Sequence, residues 1–287
     1  MFDRFVVVDW SANSTPKLGR DSIWIGVHEH SGVVSATNLA TRDAAEAFLV
    51  GLLESDPAVS TLVGVDFSLG FPAGTAAALG LAGVPWSAMW ALLTERISDD
   101  VRNANNRFAV AAELNQRLTG GASPFWGCPP SGAGDHLATT KPPTTEPLAQ
   151  FRAAEEVLRR QGRRPFSSWQ LLGAGAVGSQ SLLGIPRIGR LRDRFGDRVE
   201  IWPFTTGLQA PVLDTGAIVV AEVWPSMLDV DDAGAEVRDA AQVGATARWL
   251  CESDAAGDLG ALFSPPLSPQ VTAAARTEEG WVLGVTL

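Results

Sequence analysis

Two runs of the sequence, Phe5-Val6-Val7-Val8-Asp9 and Thr61-Leu62-Val63-Gly64-Val65-Asp66, are almost continuously apolar, and each stops at an aspartate. A run without a polar face predicts a strand buried on both sides, as at the centre of a sheet with helices above and below. Between the two runs, 22–28 alternates in polarity and 32–38 follows a short His30-Ser31-Gly32 turn, which predicts an antiparallel hairpin. Thr41 is placed as an N-cap, with Ala44, Ala45, Phe48, Leu49 and Leu52 behind it at helical spacing. Strand, hairpin, helix and strand make the first half of a mixed α/β sheet.

Helical periodicity continues over 86–118 and 149–161, strands are predicted at 199–202 and 217–223, and a helix at 234–252. The segment 281–285 reads as a last strand or a tail. The stretch 120–147, rich in Gly, Pro, Ser and Thr, is long enough to suggest a functional or mobile loop. The chain of 287 residues is therefore read as one domain, 1–287, carrying a helical and loop insertion over about 73–198.

Composition narrows the function. A net charge of −10 argues against a coat protein that grips nucleic acid along a basic face, while leaving room for an enzyme that holds one phosphate. Against that acidic whole, 152–198 holds ten Arg and four acids, a local excess that suits either solvated helix faces or an anion-facing wall. Cys128 and Cys251 are too few for a four-cysteine zinc site. No basic and apolar leader opens the chain, and the uncharged stretch 67–94 is interrupted by Pro72 and Pro85. A cytoplasmic protein without a membrane partner is expected; the oligomeric state stays open, a homodimer among the options.

The acids carry the chemistry. Asp9 and Asp66 end strands, Glu222 lies near the end of a third, and Asp239 falls in the first turns of the last long helix. Acids beside a dry sheet are costly unless they bind a cation or find a partner. Each alone is readable as a loop cap or a helix-dipole partner. Four converging on one sheet edge would make an oxygen-rich site for Mg²⁺ or Mn²⁺, able to activate water against a phosphodiester.

With these acids, the strand-hairpin-helix-strand order resembles the ribonuclease H-like fold. Within it, the chain is similar to the DUF429-type family of predicted nucleases, through VVVDWSAN at 6–13, GVDFSLGFP at 64–72, VVAEVWPSML at 219–228 and DAAQVGATARWL at 239–250. The resemblance covers about half the chain and leaves 73–198 unaccounted for. Chains of this kind are also labelled cobalamin-biosynthesis proteins, but no residue here supports corrin chemistry. The resemblance implies a divalent-metal-dependent phosphohydrolase, nuclease-like in mechanism, acting on a nucleic-acid end or a small phosphate ester. In it Asp9 would bridge two ions, Asp66 and Glu222 would each hold one, and Asp239 would complete the second site.

Further residues are candidates for holding the phosphate-containing substrate. Ser11 and Lys17 follow Asp9 closely; a phosphate-gripping first hairpin is a feature of actin-like ATPases and kinases, the alternative phosphotransferase reading. Arg96, Asn103 and Arg107 fall on one face of a single helix through 95–118, which would act as a lid with the 120–147 loop. Gly173-Ala174-Gly175-Ala176-Val177-Gly178 matches G-x-G-x-x-G, but lacks a convincing strand before it, and Gly184 and Pro186 predict a helix cut after two turns. It reads better as a tight turn offering N–H groups to an anion. Cys128 with His136 lacks an orienting acid nearby, and His28 and His30 lack a third ligand. The remaining alternative is a non-catalytic binding module on the same fold.

Overall fold

The computed structural model describes residues 1–32, 34–143, 147–228 and 237–286. The order is β1 (Arg4–Asp9), β2 (Ile23–Glu29), β3 (Val34–Leu39), α1 (Arg42–Ser55), β4 (Thr61–Val65), then three helices, α2 (Thr75–Ala78), α3 (Pro85–Arg96) and α4 (Arg107–Thr119). After a long loop come α5 (Ala153–Arg160), α6 (Val177–Phe195), β5 (Val199–Ile201), β6 (Ile218–Glu222), α7 (Arg238–Ala255), α8 (Leu259–Leu262) and α9 (Pro269–Ala274).

The strands form one six-stranded mixed sheet in the order β3-β2-β1-β4-β6-β5. The hairpin pairs antiparallel with β1, whereas β1, β4, β6 and β5 run parallel. This is the mixed α/β sheet expected, antiparallel at its start and parallel beyond. Alternation splits the strands between two cores. Val6, Val8, Val63 and Val65 face a layer containing α1, α3, α4 and α6, while Phe5, Val7, Leu62 and Val219 face α5, α7 and the C-terminal segment. Thr41 caps α1 as expected, its Oγ1 accepting from the Ala44 amide at 3.1 Å.

Several expectations need correction. The single helix over 95–118 is two, because Ile97 ends α3 and the Asp-Asn-rich link to Arg107 builds a turn. Asn103 takes a left-handed φ of 68° there, and the Asp100 carboxylate accepts from the amides of Arg102 and Ala104. Conversely, α6 continues through Pro186. A mid-helix proline costs about 3 kcal/mol, which burial of several aliphatic side chains at about 1.5–3 kcal/mol each offsets. Here Leu182, Leu183, Ile185, Ile188 and Leu191 are all buried. Residues 281–285 contribute one bridge, Val282 to Glu222, and no strand. Positions 234–236 of the predicted last helix and 144–146 of the long loop lie outside the described residues. Among the described residues, no helix is long and apolar enough to cross a membrane.

Gly26 sets the height of α7 over the sheet. A Cβ there would sit 2.7 Å from the backbone carbon and oxygen of Val243, so the helix rests directly on the strand. Gly26→Ala should lower stability by about 1–3 kcal/mol through overpacking, read as a fall in melting temperature.

Candidate functional site

β1 and β4 run side by side in register, Val8 opposite Val65, so the next residues along, Asp9 and Asp66, emerge together at the carboxyl edge. Both carboxyls are partly buried and hydrogen-bonded to each other. Burial, then the charge of Asp66, push Asp9 well above the usual carboxylate range, with Asp239 and Asp21 adding to the effect. Burial also pushes Asp66 up to about 6, against the pull of its bonds with Asp9 and with the Trp10 amide, which donates to Oδ1 at 2.8 Å. Two carboxyls this close share one proton because both cannot ionise cheaply.

Asp239 reaches the same place from the first turn of α7, where its Oδ2 accepts from the Asp21 amide at 2.8 Å. Asp9, Asp21 and Asp239 line a cavity of about 630 Å³ together with Ser11 and Arg107. Ser11 is engaged within its own loop, its hydroxyl donating to the Asp21 carbonyl and accepting from Asn13 Nδ2.

Glu222 is elsewhere. Strand alternation sets it on the face of Ile218 and Val220, opposite the one that Asp9 shares with Phe5 and Val7. There its carboxylate accepts from Arg152 Nη1 at 2.8 Å and Nη2 at 2.6 Å, and from the Leu69 amide at 3.3 Å. Arg152 is fully buried and also holds Glu155 and the carbonyl of Glu279. Burial alone would loosen the Arg152 proton, but Glu155 and Glu222 hold it and drive its pKa well above the ordinary value. Burial raises Glu222, which Arg152 counteracts. The structure thus brings Asp9, Asp66 and Asp239 together and leaves Glu222 inside an ion cluster. Among the described residues, no group of three or more His, Cys, Asp or Glu is placed to hold a metal ion.

Arg107 opens α4 at the cavity and is 6% exposed. Its Nε donates to Ser179 Oγ at 2.8 Å, and Nη1 donates to Ser14 Oγ and Asn105 Oδ1. Burial and the nearby Arg42 push its pKa down to about 10, opposed by Asp99, so it stays cationic at neutral pH. The other proposed contacts lie apart. Arg96 pairs with Glu95 and Glu113 on an exposed face, and Lys17 pairs loosely with Asp21 at 3.5 Å. Asn103 is buried as a tie, accepting from the Arg42 amide and donating to the carbonyls of Thr15 and Ala40.

Within the arginine excess over 152–198, Arg152 and Arg187 are buried, and others pair with acids at the surface. Arg187 and Arg190 pair with Glu46, and Arg194 with Glu54, all across to α1. Cys128 is buried, which raises its thiol and makes it a poor nucleophile. Sequence reasoning missed Arg152, Ser14, Ser179 and Gln180. Gln180 Nε2 donates to the Trp10 carbonyl at 2.5 Å, docking the start of α6 on the end of β1. Only the arginine count hinted at Arg152; the others carry no local signal.

The folded protein retains the Asp9 proton above the pH at which an unfolded aspartate releases it. The stability associated with that proton is complete below ~3.9 and lost as pH rises through the folded pKa. Asp9→Asn should therefore raise the melting temperature at pH 7.5, with the gap to wild type closing toward pH 4. Arg152→Leu should cost about 3–5 kcal/mol in urea unfolding, since it leaves buried carboxylates unpaired. No protein-family model, curated protein or solved structure matches this chain.

Proposed function

We propose that the protein is a divalent-metal-dependent phosphohydrolase of nuclease-like type, working at the Asp9–Asp66 edge of the sheet. The observation that carries this reading is the carboxyl pair itself. The two acids stand at the ends of adjacent parallel strands; Asp9 lines a cavity that also holds the buried Arg107, and Asp66 is hydrogen-bonded to Asp9. The antiparallel start, the parallel continuation and the acids on neighbouring strand ends also support a ribonuclease H-like ancestry of the DUF429 type.

The donor set fits Mg²⁺ or Mn²⁺. Asp9 and Asp66 offer hard oxygens whose mutual repulsion a cation would relieve, and Mg²⁺ characteristically takes one or two protein carboxylates plus water and substrate oxygens. Bound there, the ion would polarise a phosphoryl oxygen and lower the pKa of water. The chain's own residues do the positioning. The Trp10 amide fixes Asp66, Asp239 braces the Asp21 loop at the cavity wall, and Arg107 supplies positive charge across from the acids. Glu222 has a structural part here, held by Arg152. That same pairing favours the second reading, a binding module with a reduced acidic site.

Titration calorimetry with Mn²⁺ separates the two. Wild type should bind Mn²⁺ saturably and hydrolyse an activated phosphodiester only with the metal present, and Asp9→Asn should lose both while staying folded. Absence of Mn²⁺ binding by wild type, with or without a phosphate ester, would overturn the hydrolase.

A further inference from the structure

The cavity lined by Asp9 and Asp239 is lined as well by a turn with four consecutive amide donors that the described residues leave unused. The amides of Gly173, Ala174, Gly175 and Ala176 make no hydrogen bond among the described residues, whereas those of Val177 and Gly178 are used. All four of these residues line the cavity. Gly173 and Gly175 hold φ of 96° and 68°, which lets consecutive N–H groups gather into a concave, anion-seeking nest. The turn runs directly into the 19-residue α6, whose N-terminus adds positive potential.

A second, independent feature points the same way. Arg107 is almost fully buried, has no carboxylate partner among the described residues, and its Nη2 makes no hydrogen bond to them. Its bond to Ser179, in the first turn of α6, ties the guanidinium to the same helix start. Ser179 Oγ in turn donates to the Leu171 carbonyl at 2.6 Å, so this link is fully committed. Ser14 is different: its Oγ accepts from Arg107 and its own proton remains free to donate. Arg107 lies beside Arg42, and the nearest acid, Asp99, is already paired with Arg42 and Arg187, so the buried Arg107 charge has room for an anionic partner.

We infer that Arg107, the Ser14 hydroxyl and the 173–176 amides form an anion subsite that takes the phosphate group of the substrate. Phe108, Pro129 and Leu172 line the same cavity and offer an apolar shelf beside it. The ligand class is a small phosphate ester with an apolar or aromatic body, not a long polyanion, which the chain's acidic surface would repel. This deepens the hydrolase reading and rests on it for the role of the phosphate, but the subsite itself requires no metal.

The test uses inorganic phosphate and the full chain in the presence of a chelator, followed by amide NMR. Wild type should show saturable shifts concentrated at residues 173–176. Arg107→Gln should weaken the affinity by about tenfold or more, as loss of a charge-assisted bond does, and Ser14→Ala by about three- to tenfold. If Arg107→Gln fails to fold, the wild-type shifts and Ser14→Ala decide. No saturable shift at these amides, saturation centred elsewhere, or equal shifts with acetate would each overturn the subsite. Phosphate binding without Mn²⁺ binding would leave the subsite standing and the hydrolase fallen. The converse would spare the hydrolase and remove the subsite.

Discussion

The register of β1 against β4 forces two carboxyls into one another's company, and the surroundings are arranged to tolerate it. Neither strand has a polar face along which to relieve the charge, because both are buried from end to end. The acids therefore emerge at the first place where the sheet meets solvent. Their mutual repulsion is eased by a shared proton and by the Trp10 amide. In the function proposed for the protein, a cation would relieve the same repulsion, which links the energetics of the fold to that chemistry.

A second electrostatic centre has the opposite character. Arg152 draws Glu155, Glu222 and the backbone at Glu279 into one buried cluster, joining the start of α5, the end of β6 and the C-terminal segment. Glu279 extends the cluster by accepting from the amides of Ala73 and Ala153, and neighbouring Glu278 accepts from Gly74 and Ala76 at the start of α2. These carboxylates close the chain's far end onto its middle. Satisfied networks of this sort specify an arrangement, while loss of one member leaves uncompensated charge. The protein thus uses acids in two ways: Asp9 and Asp66 are paired with each other at the sheet edge, whereas Glu155 and Glu222 are paired with an arginine inside the fold.

The cavity itself is bipolar. Its acids are Asp9 at the end of β1, Asp21, and Asp239 in the first turn of α7, and its basic residue is Arg107 at the start of α4. Gln180 ties α6 to the end of β1 by bonding the carbonyl of Trp10, the residue after Asp9.

The opening order of strand, hairpin, helix and strand, the Thr41 cap and the strand-end position of Asp9 and Asp66 were legible in sequence, since they depend on local periodicity and capping chemistry. Pairing of those two acids follows once the strands are neighbours. The divided helix at 97–106 had a readable cue in its run of Asp and Asn, whereas the continuity of α6 through Pro186 did not, because burial against distant partners overrode local preference. Glu222 and Asp66 look equivalent by sequence, both closing buried strands. Only the tertiary structure separated them: a one-residue difference in where each acid follows the strand register puts them on opposite faces, one at the cavity and one against Arg152. Likewise, the sequence could place an arginine at 107 and glycines at 173 and 175, but not bring them to a common wall. Such meetings depend on packing between segments far apart in the chain, for which local pattern carries no signal.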